Sequence, residues 1–158
     1  MRIRSFAIAL AVVPAVFVIA SSEPASADPE MSLKDRQEWA QMTKIIEERA
    51  EAASKKCETK IVASFDIPSF KGTDLFRESP TARCRDLVYN VENLCTTAVG
   101  KTAVKNSVST ITCKKSTDGV RVTRDSKSLT VHIDSKNPYI QGKQKGSYSW
   151  KSALEEIL

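Results

Sequence analysis

The chain of 158 residues carries 24 basic and 19 acidic side chains, four cysteines and one histidine, for a net charge of +5. That length gives room for one domain with a modest core. One histidine and no Cys-x-x-Cys leave no spacing suited to a structural zinc site or a redox dithiol, so neither a metal nor a cofactor is expected.

The chain begins with Arg2 and Arg4, an apolar run over residues 6–20, and small residues ending Ala25-Ser26-Ala27. This is the pattern of a secretory signal peptide, expected to be cleaved after Ala27. The apolar run is about 15 residues and contains Pro14, against the ~20 that a spanning helix needs. No cysteine precedes Asp28, which removes a lipid anchor. The expected product is an exported protein, periplasmic or secreted, with no stable membrane anchor, whose residues 28–158 form a single disulfide-stapled domain. Its charge is uneven: residues 28–98 hold 11 basic and 13 acidic side chains, and residues 99–158 hold 11 and 5.

Residues 32–56 read as a long first helix, with Ser32 as its cap and Asp35 three residues on. Trp39, Met42, Ile46, Ala50, Ala53 and Cys57 form its apolar stripe. Alternation of Ile61, Ala63, Phe65 and Ile67 with polar neighbours predicts a half-buried strand ended by Pro68. Residues 69–79 read as an irregular loop carrying Phe70 and Phe76.

Residues 80–98 read as a second helix. Cys84, Leu87, Val88, Val91, Leu94, Cys95 and Ala98 recur at spacings of three and four. The four cysteines, Cys57, Cys84, Cys95 and Cys113, predict two disulfides in an exported protein. Cys84 and Cys95 lie about three turns apart on that helix, roughly 16 Å. A disulfide needs Cα atoms within about 7 Å, so they cannot bond each other, and Cys57–Cys113 falls with that pairing. A chain that leaves the helix and folds back along it brings Cys113 to Cys84. Cys57, just before the first strand, then meets Cys95. The expected pairs are Cys57–Cys95 and Cys84–Cys113.

Residues 100–106 read as a basic connector. Three short strands follow, over residues 107–115, 120–124 and 128–134, with Asp118-Gly119 as a hairpin signal and Ser126-Lys127 as the second turn. Read as an antiparallel meander, this places Val122 opposite Val131, Cys113 opposite Val122, and Arg121 opposite His132. Residues 137–148 form a polar loop with Tyr139 and Tyr148, and residues 149–158 a short last helix bearing Trp150, Ala153, Leu154 and Ile157 on one face.

Little in this pattern carries chemistry. His132 alternates with Val131 and Ile133 and should face outward, with Asp134 on the same face. No nucleophile elbow, phosphate loop or dinucleotide fingerprint accompanies it. Asp66, Asp74 and Glu78 are the candidate carboxylates for a small secreted hydrolase. The outward face of the meander is more suggestive. Lys114, Arg121 and His132 share it with Thr123 and Thr130, and Lys143 and Lys145 lie in the adjoining loop. A basic surface of this kind suits an anionic polymer.

The expected fold is thus α+β: a long N-terminal helix, one strand, a second helix packed on a three-stranded antiparallel meander, and a short C-terminal helix, with two disulfides. The expected function is a non-catalytic binding or interaction module of the cell envelope, with an unidentified protein or an anionic envelope polymer as partner. Cell-wall acids, lipopolysaccharide and extracellular nucleic acid are the candidate polymers. A small hydrolase is the remaining alternative.

Overall fold

Ser32 starts the first helix as its side chain demands. Its hydroxyl accepts the amide of Asp35 at 3.1 Å and donates to the Asp35 carboxylate at 2.7 Å, so one of the helix's orphan donors is satisfied. The computed structural model describes residues 31–73, 79–134 and 149–158. Helix α1, Leu33–Cys57, buries Trp39, Ile46, Ala50, Ala53 and Cys57 along one stripe. It ends at Glu58, which takes the left-handed conformation (φ 54°) usual for a residue closing a helix. The Ser54 hydroxyl accepts the Ile61 amide at 2.9 Å and fixes the turn into strand β1, Val62–Phe65.

The segment expected to be loop after β1 opens with a short 3-10 helix, Ile67–Phe70. It turns Phe70 inward, where its ring meets Trp39 and Phe65 at centroid distances of 5.3 and 6.0 Å. Phe76, Asp74 and Glu78 lie outside the described residues.

Helix α2, Pro80–Leu94, is shorter than the periodicity predicts. The chain turns at residues 95–97 and enters a further helix, α3, Ala98–Ser107, where a connector was expected. Thr97 caps α3, its hydroxyl accepting the Gly100 amide at 3.1 Å. A Cβ on Gly100 would lie 2.0 Å from the Leu94 carbonyl oxygen, so glycine is what lets α3 start so close to the end of α2.

The sheet differs from the expected meander. Strands β2 (Thr110–Lys115), β3 (Arg121–Asp125) and β4 (Ser128–Ile133) join β1 in a four-stranded mixed sheet of order β1-β2-β4-β3. β1 pairs with β2 and β2 with β4 in parallel, and only β3 and β4 are antiparallel. The Ser126-Lys127 turn is tight, with Ser126 at φ 55°, and it sets the expected Val122–Val131 and Arg121–His132 pairs. Cys113, however, pairs with Val131, not Val122.

Burial explains the order. β4 buries Leu129, Val131 and Ile133 and takes the central position. β3 carries Arg121, Arg124 and Asp125, the charged composition that suits an edge. Residues 116–120 therefore cross over the end of β4. The Ser116 amide donates to the Ile133 carbonyl at 2.8 Å, and the Gly119 amide to the Asp134 carboxylate at 2.9 Å.

Helices cover one face of this sheet. α1 packs on β1, and α2 packs on β2 and β4. The last helix, α4 (Trp150–Glu155), packs on α2 and β3. α1 and α2 run in the same direction, since Arg49 meets Glu92 and Cys57 meets Cys95. The disulfides are Cys57–Cys95, with Cα atoms 5.1 Å apart, and Cys84–Cys113, at 5.9 Å. The first ties the ends of α1 and α2 together. The second fastens α2 to the sheet. All four cysteines are buried among Leu87, Val88, Val91, Ile111 and Leu129, within one unit spanning Met31–Leu158.

Candidate binding face

Among the described residues, no helix packs on the other side of the sheet. Strand alternation sends Val62 and Ser64 from β1, Thr110, Thr112 and Lys114 from β2, Ser128, Thr130 and His132 from β4, and Arg121, Thr123 and Asp125 from β3 to this outer face. Register arranges them in rows. Lys114, His132 and Arg121 form one row across three strands. Ser64, Thr112, Thr130 and Thr123 form the next, across all four. Val62, Thr110, Ser128 and Asp125 form the third row, in which the Thr110 and Ser128 hydroxyls are joined by a bond of 2.7 Å. Strand spacing puts the Cα atoms of Lys114 and Arg121 roughly 10 Å apart, with His132 between them.

The corrected strand order is what makes the basic row. In a meander Lys114 would neighbour β3, whereas the observed sheet sets it directly against His132. Like charges opposed across a ladder are unfavourable, so this row does not assist folding. The Asp118 carboxylate lies 3.9 Å from Arg121 at one end of the row. His132 is half-buried, and its Nε2 lies 3.2 Å from the Thr123 hydroxyl. Burial holds its pKa below the ordinary histidine value. The positive charges of Arg121 and Lys114 lower it further, against a smaller opposing pull from Asp118.

Asp134 does not stand on this face beside His132, as alternation alone suggests. It is buried, and its carboxylate accepts the Gly119 amide and anchors the β2–β3 crossover. Asp66 lies at the end of β1, where its backbone amide donates to the Cys113 carbonyl at 2.9 Å. Lys143, Lys145, Tyr139 and Tyr148 lie outside the described residues. The hydroxyl members that sequence reasoning missed are Ser64, Thr110, Thr112 and Ser128, of which Thr112 stands inside the Ser64–Thr123 row. Its signal was present as the alternation Thr110, Thr112, Lys114.

A second feature lies on the helix side. An open groove of about 530 Å³ between α1 and α2 is lined by Ile45, Glu48, Arg49, Ala52, Arg85, Asp86 and Tyr89. Arg49 stacks 4.5 Å over the Tyr89 ring and reaches Glu92 at 3.4 Å. Arg49 is thus held between Glu92 and the Tyr89 ring, whereas Arg121 of the outer row meets the exposed carboxylate of Asp118.

Among the described residues, no group of three or more histidine, cysteine, aspartate or glutamate side chains is placed to hold a metal ion. No helix of the described residues is long and apolar enough to cross a membrane. No family model, no curated protein and no solved structure matches this chain.

Proposed function

We propose that the protein is an exported, non-catalytic binding module of the cell envelope or secreted fraction, and that the open sheet face takes an anionic polymer. The observation that carries this reading is the in-register row Lys114–His132–Arg121 on the uncovered side of a disulfide-stapled sheet. Two buried disulfides suit an oxidising compartment and agree with the leader-like start of the chain. They also make the sheet a rigid platform, which lowers the ordering cost of binding.

The test is binding of wild-type protein and a Lys114→Glu/Arg121→Glu double variant to an anionic envelope polymer across a salt series. Wild-type affinity should fall steeply with salt, because bound cations displace counterions. The double variant should bind at least tenfold more weakly at low salt and keep its fold. Equal binding by the two proteins would reject the outer face as the site.

A further inference from the structure

The row and the hydroxyls beside it define a ligand more closely than charge alone. This step rests on the outer face being the binding surface. Three nitrogen-bearing side chains share one row on three different strands: the Lys114 ammonium from β2, the His132 ring from β4 and the Arg121 guanidinium from β3. A planar carboxylate is served well by a single bidentate arginine. A phosphate, with oxygens pointing in several directions, can engage all three. Beyond the row lie four hydroxyl side chains in register, Ser64, Thr112, Thr130 and Thr123, and then the Thr110–Ser128 pair. Successive rows are about 6.8 Å apart along the strands. Such a surface offers paired donors and acceptors to a polyol. Nucleic-acid binders instead commonly present aromatic rings for base stacking, and none of these outer-face positions holds one.

We infer that the Lys114–His132–Arg121 row seats one phosphate of a hydroxyl-rich phosphodiester polymer, whose polyol units lie along the threonine rows, and that filling the seat charges His132. The groups facing His132 are Lys114, Arg121, Thr123 and, through Arg121, Asp118; the helices pack on the opposite side of the sheet. Without ligand, partial burial and then the two flanking cations hold the imidazole pKa below the ordinary histidine value, which favours the neutral ring. An incoming phosphate offsets the field of the two cations and places a negative charge beside the ring. The imidazole then takes a proton from solvent and becomes a third cationic donor. Binding is therefore linked to proton uptake and strengthens as pH falls.

His132 is the one histidine in the chain, so its ring proton signals in NMR can be followed without ambiguity. The experiment titrates the full exported protein from pH 8 to pH 4.5, alone and with a synthetic glycerol phosphate oligomer. Controls are a carboxylated glycan oligomer of equal charge and a single-stranded DNA oligonucleotide. The glycerol phosphate oligomer should raise the apparent His132 pKa by about one unit or more, the size of shift a close opposite charge produces. By linkage, affinity at low pH should then exceed that at pH 8 by about tenfold, and His132→Gln should remove this dependence. Salt-sensitive binding with no movement of His132 would overturn the proton-linked seat and leave the outer face standing as a binding surface. An equal shift with the carboxylated glycan or the DNA would overturn the phosphodiester polyol assignment. No binding at any pH would overturn both this inference and the reading beneath it.

Discussion

The two faces of one sheet obey different rules. On the inner face, Ile111, Cys113, Leu129 and Val131 are fully buried beneath α2, and one of them is covalently fastened to that helix. Each of these four is accounted for by burial. On the outer face, register aligns a lysine, a histidine and an arginine, which folding does not require and which repel each other when charged. Where a residue choice works against the fold, function is the better explanation for it. The same contrast separates the outer row from the α1–α2 groove, whose charges have partners in Glu92 and the Tyr89 ring.

The largest effect should come from cutting the covalent tie of the inner face. Replacing Cys84 and Cys113 together with alanine opens a 29-residue loop and should cost about 3–4 kcal/mol, read as a lower urea midpoint. Adjacent positions on β4 give the sharpest contrast between the faces. Leu129→Ala should cost about 2–5 kcal/mol. Thr130→Ala, one residue on and facing outward, should change stability by about 0.5 kcal/mol or less. Similar losses at the two positions would break the two-face description.

A smaller effect concerns pH. The His132 pKa is lowered in the folded protein, first by burial and then by Arg121 and Lys114. On acidification the unfolded chain therefore takes up the histidine proton first, near pH ~6.5. Stability contributed by the neutral ring is complete above that value. It is lost as pH falls toward the lower folded value. Urea midpoints between pH 8 and pH 5 should show this decline in wild type and a shallower one in His132→Gln. The smallest expected change is for Lys114→Glu, which removes a like charge from the row and should stabilise by ~0.5 kcal/mol or less, measured by the same unfolding curves.

The faces of the strands were legible in the sequence, but their neighbours were not. Period-two alternation is local, so it turns His132 outward and Val131 and Ile133 inward whatever the order of the strands. Strand order depends on contacts distant in sequence. The Asp118-Gly119 signal marked a real turn, with Gly119 at φ 84°, but that turn crosses β4 and does not join β2 to β3 directly. The composition of β3 held the missing clue, since Arg121, Arg124 and Asp125 mark an edge. The disulfides were accessible because helix geometry forbids Cys84–Cys95 outright and folding back of the chain orders the remainder. Helix α3 was hidden by its glycine, a residue that usually signals a connector but here permits a close approach to Leu94. Within the candidate site, Arg121 opposite His132 followed from the tight Ser126-Lys127 turn. Lys114 opposite His132 required the long-range parallel pairing of β2 with β4.

The most direct measurement is mapping of backbone amide chemical shifts while a glycerol phosphate oligomer is added. The account predicts changes concentrated at Lys114, His132 and Arg121 and extending to Thr112, Thr130 and Thr123, with Ile45, Arg49 and Tyr89 unmoved. Changes confined to the α1–α2 groove, with the outer rows silent, would contradict it.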